Sequence, residues 1–260
     1  MGGTSDPVTV MTTDRSTPRG TDDGPPDDEL DVFLNVLNEL KATGCNLLVV
    51  GDAPRDVFTR ASSQLLGDPG ILRYRVLAVT DATTRSVADR LPDAETTPRP
   101  LTETTRIVNH AGAPRSVTAQ TEAAPPELAG IHETCVADPQ LQGLQSSLAE
   151  AIQAVARNAG ELNPSDLRVG VDSLTPLVEH HGEEVVRNCL ELVGAYVRDN
   201  DAMAHYVLPD EYHADHVQSL LPSVDAVIEL RTVNPDERGH DVEQRWHVPD
   251  RDITTGWTPL

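Results

Sequence analysis

Four short apolar runs constrain this chain most: Asn46-Leu-Leu-Val-Val50, Tyr74-Arg-Val-Leu-Ala-Val79, Leu167-Arg-Val-Gly-Val171 and Ala226-Val-Ile-Glu-Leu230. They do not alternate apolar and polar residues, so each reads as a strand covered on both faces. Such strands belong to parallel sheets, because crossover connections place helices over both sides. The segments between them carry helical spacing. Leu30, Phe33, Leu34, Leu37 and Leu40 recur on one stripe that stops at Thr43-Gly44, and Leu144, Leu148, Ile152 and Val155 form another within Leu141–Ala159. Helices are also expected over about Pro54–Leu66, Thr84–Leu91, Glu183–Asp199 and His213–Leu221, and strands over Thr104–Val108 and Ala202–Leu208. Glu243–Trp257 reads as one or two edge strands turning at Pro249-Asp250. The pattern predicts an α/β fold in layers, with a mostly parallel central sheet and C-terminal edge strands. Residues 92–130, rich in Thr, Pro and Ala, give little pattern, and no internal repeat is visible.

Residues 1–27 carry Thr, Asp, Pro and Gly with almost no apolar periodicity, which predicts a disordered acidic tail ahead of a single domain over 28–260. Charge narrows the function classes. The chain has 42 acidic and 20 basic side chains, a formal net charge of −22, and Lys41 is its only lysine. A surface this negative argues against nucleic acid as a partner. No run of 18 apolar residues marks a membrane span, and the start lacks a basic and hydrophobic leader. The three cysteines, Cys45, Cys135 and Cys189, show neither zinc spacing nor a disulfide framework. A cytoplasmic location is expected, and scarce lysine with abundant Asp fits a cytoplasm of molar salt, where the screening length falls to about 3 Å.

The first strand ends at Gly51 and a helix follows, the setting of a phosphate-binding loop. The pattern G-x-x-x-x-G-K-[ST] meets Gly51-Asp52-Ala53-Pro54-Arg55-Asp56-Val57-Phe58. Asp56 stands for the second glycine, Val57 for the phosphate-reaching lysine and Phe58 for the magnesium-binding hydroxyl. Asp52 and Asp56 are expected to cap the helix and to repel a triphosphate. Taken alone, the segment reads as an ordinary strand–loop–helix with an acidic cap. Later, the strand Leu167–Val171 ends in Asp172-Ser173, the layout of a Walker-B segment, although a strand-ending Asp is also a common cap or turn residue.

Val169-Gly-Val-Asp-Ser-Leu-Thr-Pro-Leu177, Ala204-His-Tyr-Val-Leu-Pro209, Val224-Asp-Ala-Val-Ile-Glu-Leu-Arg231 and the ending Gly256-Trp-Thr-Pro-Leu260 together carry a resemblance. The chain, over about 30–260, resembles the KaiC-type branch of the RecA-like ATPases, and most of all the uncharacterised haloarchaeal HTR-like paralogues of that branch. The resemblance implies a RecA-like three-layer sandwich and, in active members, ATP hydrolysis with ring or filament assembly. It aligns Gly51 with the first loop glycine, Asp172 with the Walker-B aspartate and Asp81 with the position of a catalytic glutamate.

Other groupings are weaker. His205, Tyr206, His213 and His216 tempt a metal reading but lack a convergent companion, and His180-His181-Gly-Glu-Glu184 reads as a helix start. No metal site is expected. Cys45 and Cys189 fall in apolar stretches as core thiols, and Trp246 and Trp257 are expected to pack the terminal strands. The leading expectation is a non-hydrolysing RecA/KaiC-like protein without a cofactor. It would act through protein partners or self-association in regulation or signalling, so enzymatic activity is not expected. The alternative is a divergent ATPase that binds ATP and Mg with Arg55, or an arginine in trans, in place of the lysine. A DNA-associated role rests on family analogy alone and runs against the charge.

Overall fold

Tyr74–Val79 and Leu167–Val171 are buried at every residue, as strands covered on both faces must be. The computed structural model describes residues 27–81, 87–110, 128–136 and 140–260, with side chains from residue 32 onward. Among the described residues one sheet contains β1 (Cys45–Asp52), β2 (Tyr74–Val79), β3 (Thr105–Asn109), β4 (His132–Cys135), β5 (Leu167–Val171), β6 (Met203–Val207), β7 (Ala226–Thr232), β8 (Val242–Val248), β9 (Ile253–Thr254) and β10 (Thr258–Pro259). The order is β10-β8-β7-β1-β6-β5-β2-β3-β4, with β9 on β8. From β7 to β4 every pairing is parallel; β8 then runs antiparallel to β7 and carries β9 and β10.

The helices among the described residues are α1 (Asp27–Thr43), α2 (Arg55–Leu65), α3 (Leu101–Thr104), α4 (Leu141–Ala159), α5 (Thr175–His181), α6 (Glu183–Asp199), α7 (Asp215–Leu220) and α8 (Pro235–Arg238). Alternation along each strand sends neighbouring residues to opposite faces. Leu48, Val50, Val76, Val169, Val171 and Tyr206 thus meet α4, α5, α6 and α7. Leu47, Val49, Met203, Val207 and Leu230 meet α1 and α2 on the other face. Farther along that second face, Leu77, Val79 and Ile107 pack with Leu66, Val87, Leu91 and Leu101. The result is the expected three-layer α/β sandwich with C-terminal edge strands.

Several local expectations change. β4 was not anticipated, because His132-Glu-Thr-Cys135 is short and polar and stays half-exposed at the sheet edge. His180 and His181 end α5 instead of starting a helix; Gly182, at φ 80°, breaks the chain there and α6 starts at Glu183. The helix expected from His213 starts at Asp215, after extended Ala214, so His213 and His216 do not share a helical face. The tail 1–26 and part of the helix expected at Thr84–Leu91 lie outside the described residues.

Candidate functional site

Parallel strands bring their C-terminal ends to one edge of a sheet, where α/β folds place ligands. Here that edge gathers the segments after β1, β2, β5 and β6. Gly51, the penultimate residue of β1, has φ 136°, and its N–H donates to the Asp210 carbonyl at 2.7 Å. A Cβ at this position would lie 2.0 Å from the Leu230 carbonyl oxygen. Gly51 is therefore demanded by the close approach of β7, independently of any ligand of the loop.

The connection that follows is short. α2 already starts at Arg55, with Pro54 as its N-cap residue and no side-chain cap. This corrects the expected capping by Asp52 and Asp56. Asp52 still belongs to β1, in register with Arg231, too early in the chain to turn back onto the helix. Asp56 sits inside the first turn, exposed, where it can act only on the helix dipole. Val57 and Phe58 occupy that same turn and are 4% and 1% exposed, packed in the core with Leu47, Val49 and Met203. Neither side chain has a polar group to offer an anion.

Of the sequence-selected residues, Arg55 meets Asp81, while Asp172 meets Thr80, which the sequence did not single out. Arg55 Nη2 donates to the Asp81 carbonyl at 2.7 Å, and its Nη1 lies 3.5 Å from the Asp81 carboxylate. Both side chains are more than half exposed, so the ion pair contributes little, about 0–1 kcal/mol. At the end of β5, Asp172 Oδ1 accepts from the Thr80 N–H and lies within reach of its hydroxyl, each at 2.7 Å. The same hydroxyl reaches the Ser173 carbonyl, so its one proton serves two acceptors. Asp172 Oδ2 has no hydrogen-bond partner among the described residues. Burial pushes the Asp172 carboxyl above its ordinary range, against the opposing pull of the Thr80 hydrogen bonds and the Arg90 charge. Ser173 Oγ accepts from the Thr175 N–H at 3.2 Å, at the start of α5. β6 separates β5 from β1, so Asp172 stands about 10 Å from the Gly51 strand, two strand spacings away.

Thr80 and Arg90 were missed as site residues. Thr80 could have been flagged by its place directly after the β2 run. Arg90, 1% exposed, carried no local signal. The histidines separate. His205 and Tyr206 are neighbours on β6 and so face opposite layers: His205 Nε2 meets the Ser62 hydroxyl at 2.7 Å, and the Tyr206 hydroxyl donates to Asn46 at 2.9 Å. His216 pairs with Asp210 at 2.6 Å and His213 lies edge-on to Tyr212. Among the described residues no three His, Cys, Asp or Glu side chains gather in a metal-binding group. Cys45 and Cys189 are buried thiols, raised to about 12 and about 11 by burial. Trp246 packs against Phe33, whereas Trp257 lies under the guanidinium groups of Arg231 and Arg245, at 3.9 and 4.6 Å.

A family of unknown function, DUF7504, has a sequence profile that matches residues 44–230, well over half of the chain. The chain belongs to DUF7504. The matched stretch opens just before β1 and closes inside β7, so what DUF7504 describes is the parallel part of the sheet with its crossover helices. Gly51, Asp81 and Asp172 all lie within the DUF7504 match, and β8, β9 and β10 lie beyond it. Among solved structures, a KaiC-like protein from the hyperthermophilic archaeon Pyrococcus horikoshii is similar over 80% of this chain and 79% of its own, at a TM-score of 0.50 and 9% identity. At that identity the likeness is one of fold: this DUF7504 chain has a RecA/KaiC-like fold. No curated protein matches the sequence. No helix among the described residues is long and apolar enough to cross a membrane.

Proposed function

We propose that this chain is a non-hydrolysing RecA/KaiC-like protein with a degenerate phosphate loop, serving a regulatory or signalling role through protein partners or copies of itself. The burial of Val57 and Phe58 in the core carries this reading. Those positions would have to supply a cation and a metal-binding hydroxyl to a magnesium–triphosphate. A lysine placed at position 57 would enter apolar packing, not a phosphate cradle.

Other features support it. α2 begins so early that no wide loop is left to wrap a phosphate chain, and Arg55, the natural substitute cation, is already engaged by Asp81. The residues present do not fit a magnesium nucleotide, so we derive no hydrolytic step. The haloarchaeal HTR-like kinship and a salt-rich cytoplasm belong to the same reading, supported by the −22 charge and the single lysine.

The test is titration of the full chain with a fluorescent ATP analogue and magnesium in molar KCl, followed by a phosphate-release assay. No saturable binding and no turnover are expected. Micromolar binding with turnover would overturn the proposal and favour the divergent ATPase, in which case Arg55→Ala should abolish that turnover.

A further inference from the structure

At the far end of the sheet from β8, a cavity of about 270 Å³ lies between α4 and the paired strands β3 and β4. Arg106 and His132 are register partners there, so they share one face of the sheet. Thr134, two residues beyond His132, points to the same side. From α4, the cavity receives Arg157 of the last turn and, earlier in the helix, Ser147 and Glu150.

The lining is polarised from end to end. α4 connects β4 to β5, and both belong to the parallel part of the sheet, so the helix must run opposite to the strands. Arg157 therefore lies over the strand starts, beside Arg106 and His132. Ser147 and Glu150 lie over the later residues, beside Thr134. Seven residues separate Glu150 from Arg157, about 10 Å along a helix. Ala151 and Ala154 of α4 make the apolar stretch between the two ends. Among the described residues, the side chains of Arg106, Arg157 and Glu150 take no part in a hydrogen bond or ion pair. A chain with twice as many acids as bases thus leaves two guanidinium groups unused at one end of the cavity.

We propose that this cavity binds a small bifunctional molecule, its carboxylate or phosphate held by Arg106, Arg157 and His132 and its amine by Glu150 and Ser147. Guanidinium groups match the paired oxygens of both anions, and an unpaired one in a concave site gives up no existing ion pair to do so. Glu150 repels a second anionic end, which turns the far side into a filter against dianions of the same length. The proposal is independent of the β1 loop and its fate.

Calorimetric titration of the full chain, in salt where circular dichroism shows it folded, tests this with 6-aminohexanoate, 4-aminobutyl phosphate and adipate. One of the two amines should bind about tenfold more tightly than adipate, and the one that does identifies the anion as carboxylate or phosphate. Arg106→Ala with Arg157→Ala should weaken that binding about tenfold or more. Glu150→Gln, an exposed helix position that should fold normally, should narrow the gap between the amine and adipate. Absence of binding by both amines up to about 10 mM overturns the proposal, as does a gap that Glu150→Gln leaves unchanged.

Discussion

The Thr80 N–H donates to Asp172 Oδ1 at 2.7 Å, so the carboxylate that ends β5 is tied to the end of β2. The aspartate that looks like a metal ligand in the sequence thereby acquires a structural role, joining the C-terminal ends of two adjacent parallel strands.

The tie can be separated from the charge. Asp172→Ala leaves the buried Thr80 N–H and hydroxyl without this acceptor and should cost about 1–3 kcal/mol in urea unfolding. Asp172→Asn keeps the accepting oxygen and should cost clearly less. Equal losses would mean that the negative charge itself is what the site requires.

Restoring the loop pattern should fail for reasons of packing. Phe58→Ala opens a cavity under α2 and should cost about 3–5 kcal/mol. Val57→Lys with Phe58→Thr should lower the melting temperature sharply, because it buries an unpaired ammonium, without conferring ATP affinity. A stable double variant that bound ATP would overturn the account of this turn.

Acid should destabilise the fold early. Burial holds His205 down at about 3, well under its ordinary 6.5, so the imidazole is neutral in the folded chain. Below about 6.5 the unfolded chain takes up a proton that the folded one refuses. Stability is then full above about pH 6.5 and falls toward pH 3 by about 1.4 kcal/mol per unit from this group. His247, lowered by burial despite the Glu229 hydrogen bond, adds in the same sense. Urea midpoints at pH 7, 6 and 5 should show the slope, and His205→Asn should flatten it.

The Arg55–Asp81 contact is exposed and should behave so. Arg55→Ala should change stability by no more than about 1 kcal/mol at low salt, and by less in molar KCl, where the screening length is about 3 Å. Chemical denaturation at the two salt concentrations is the check. A large, salt-independent loss would show that the 2.7 Å bond to the Asp81 carbonyl matters more than the ion pair.

Much of the fold was legible because β1, β2, β5 and β7 are apolar on both faces over five to eight residues, the length of a covered strand and too short for a core helix. β4 was not legible: its four polar residues at the sheet edge gain their strand character from pairing with β3. The start of α6 at Glu183 was legible, whereas α5, only seven residues long, showed no helical spacing of its own. In the site, Gly51, Arg55, Asp81 and Asp172 could be picked out by their places at strand ends. The contact between Arg55 and Asp81, and the tie from Thr80 to Asp172, depend on the lateral order of strands, which local pattern does not contain.

Gly51 has one more consequence. Because the Leu230 carbonyl fills the space a Cβ would need, saturation mutagenesis should place residue 51 with the least permissive positions of the interior. Its neighbours 52, 55 and 56 should accept most side chains. The glycine would then persist in descendants that lost every other letter of the loop, a mark left by neighbouring backbone and no record of what the loop once held.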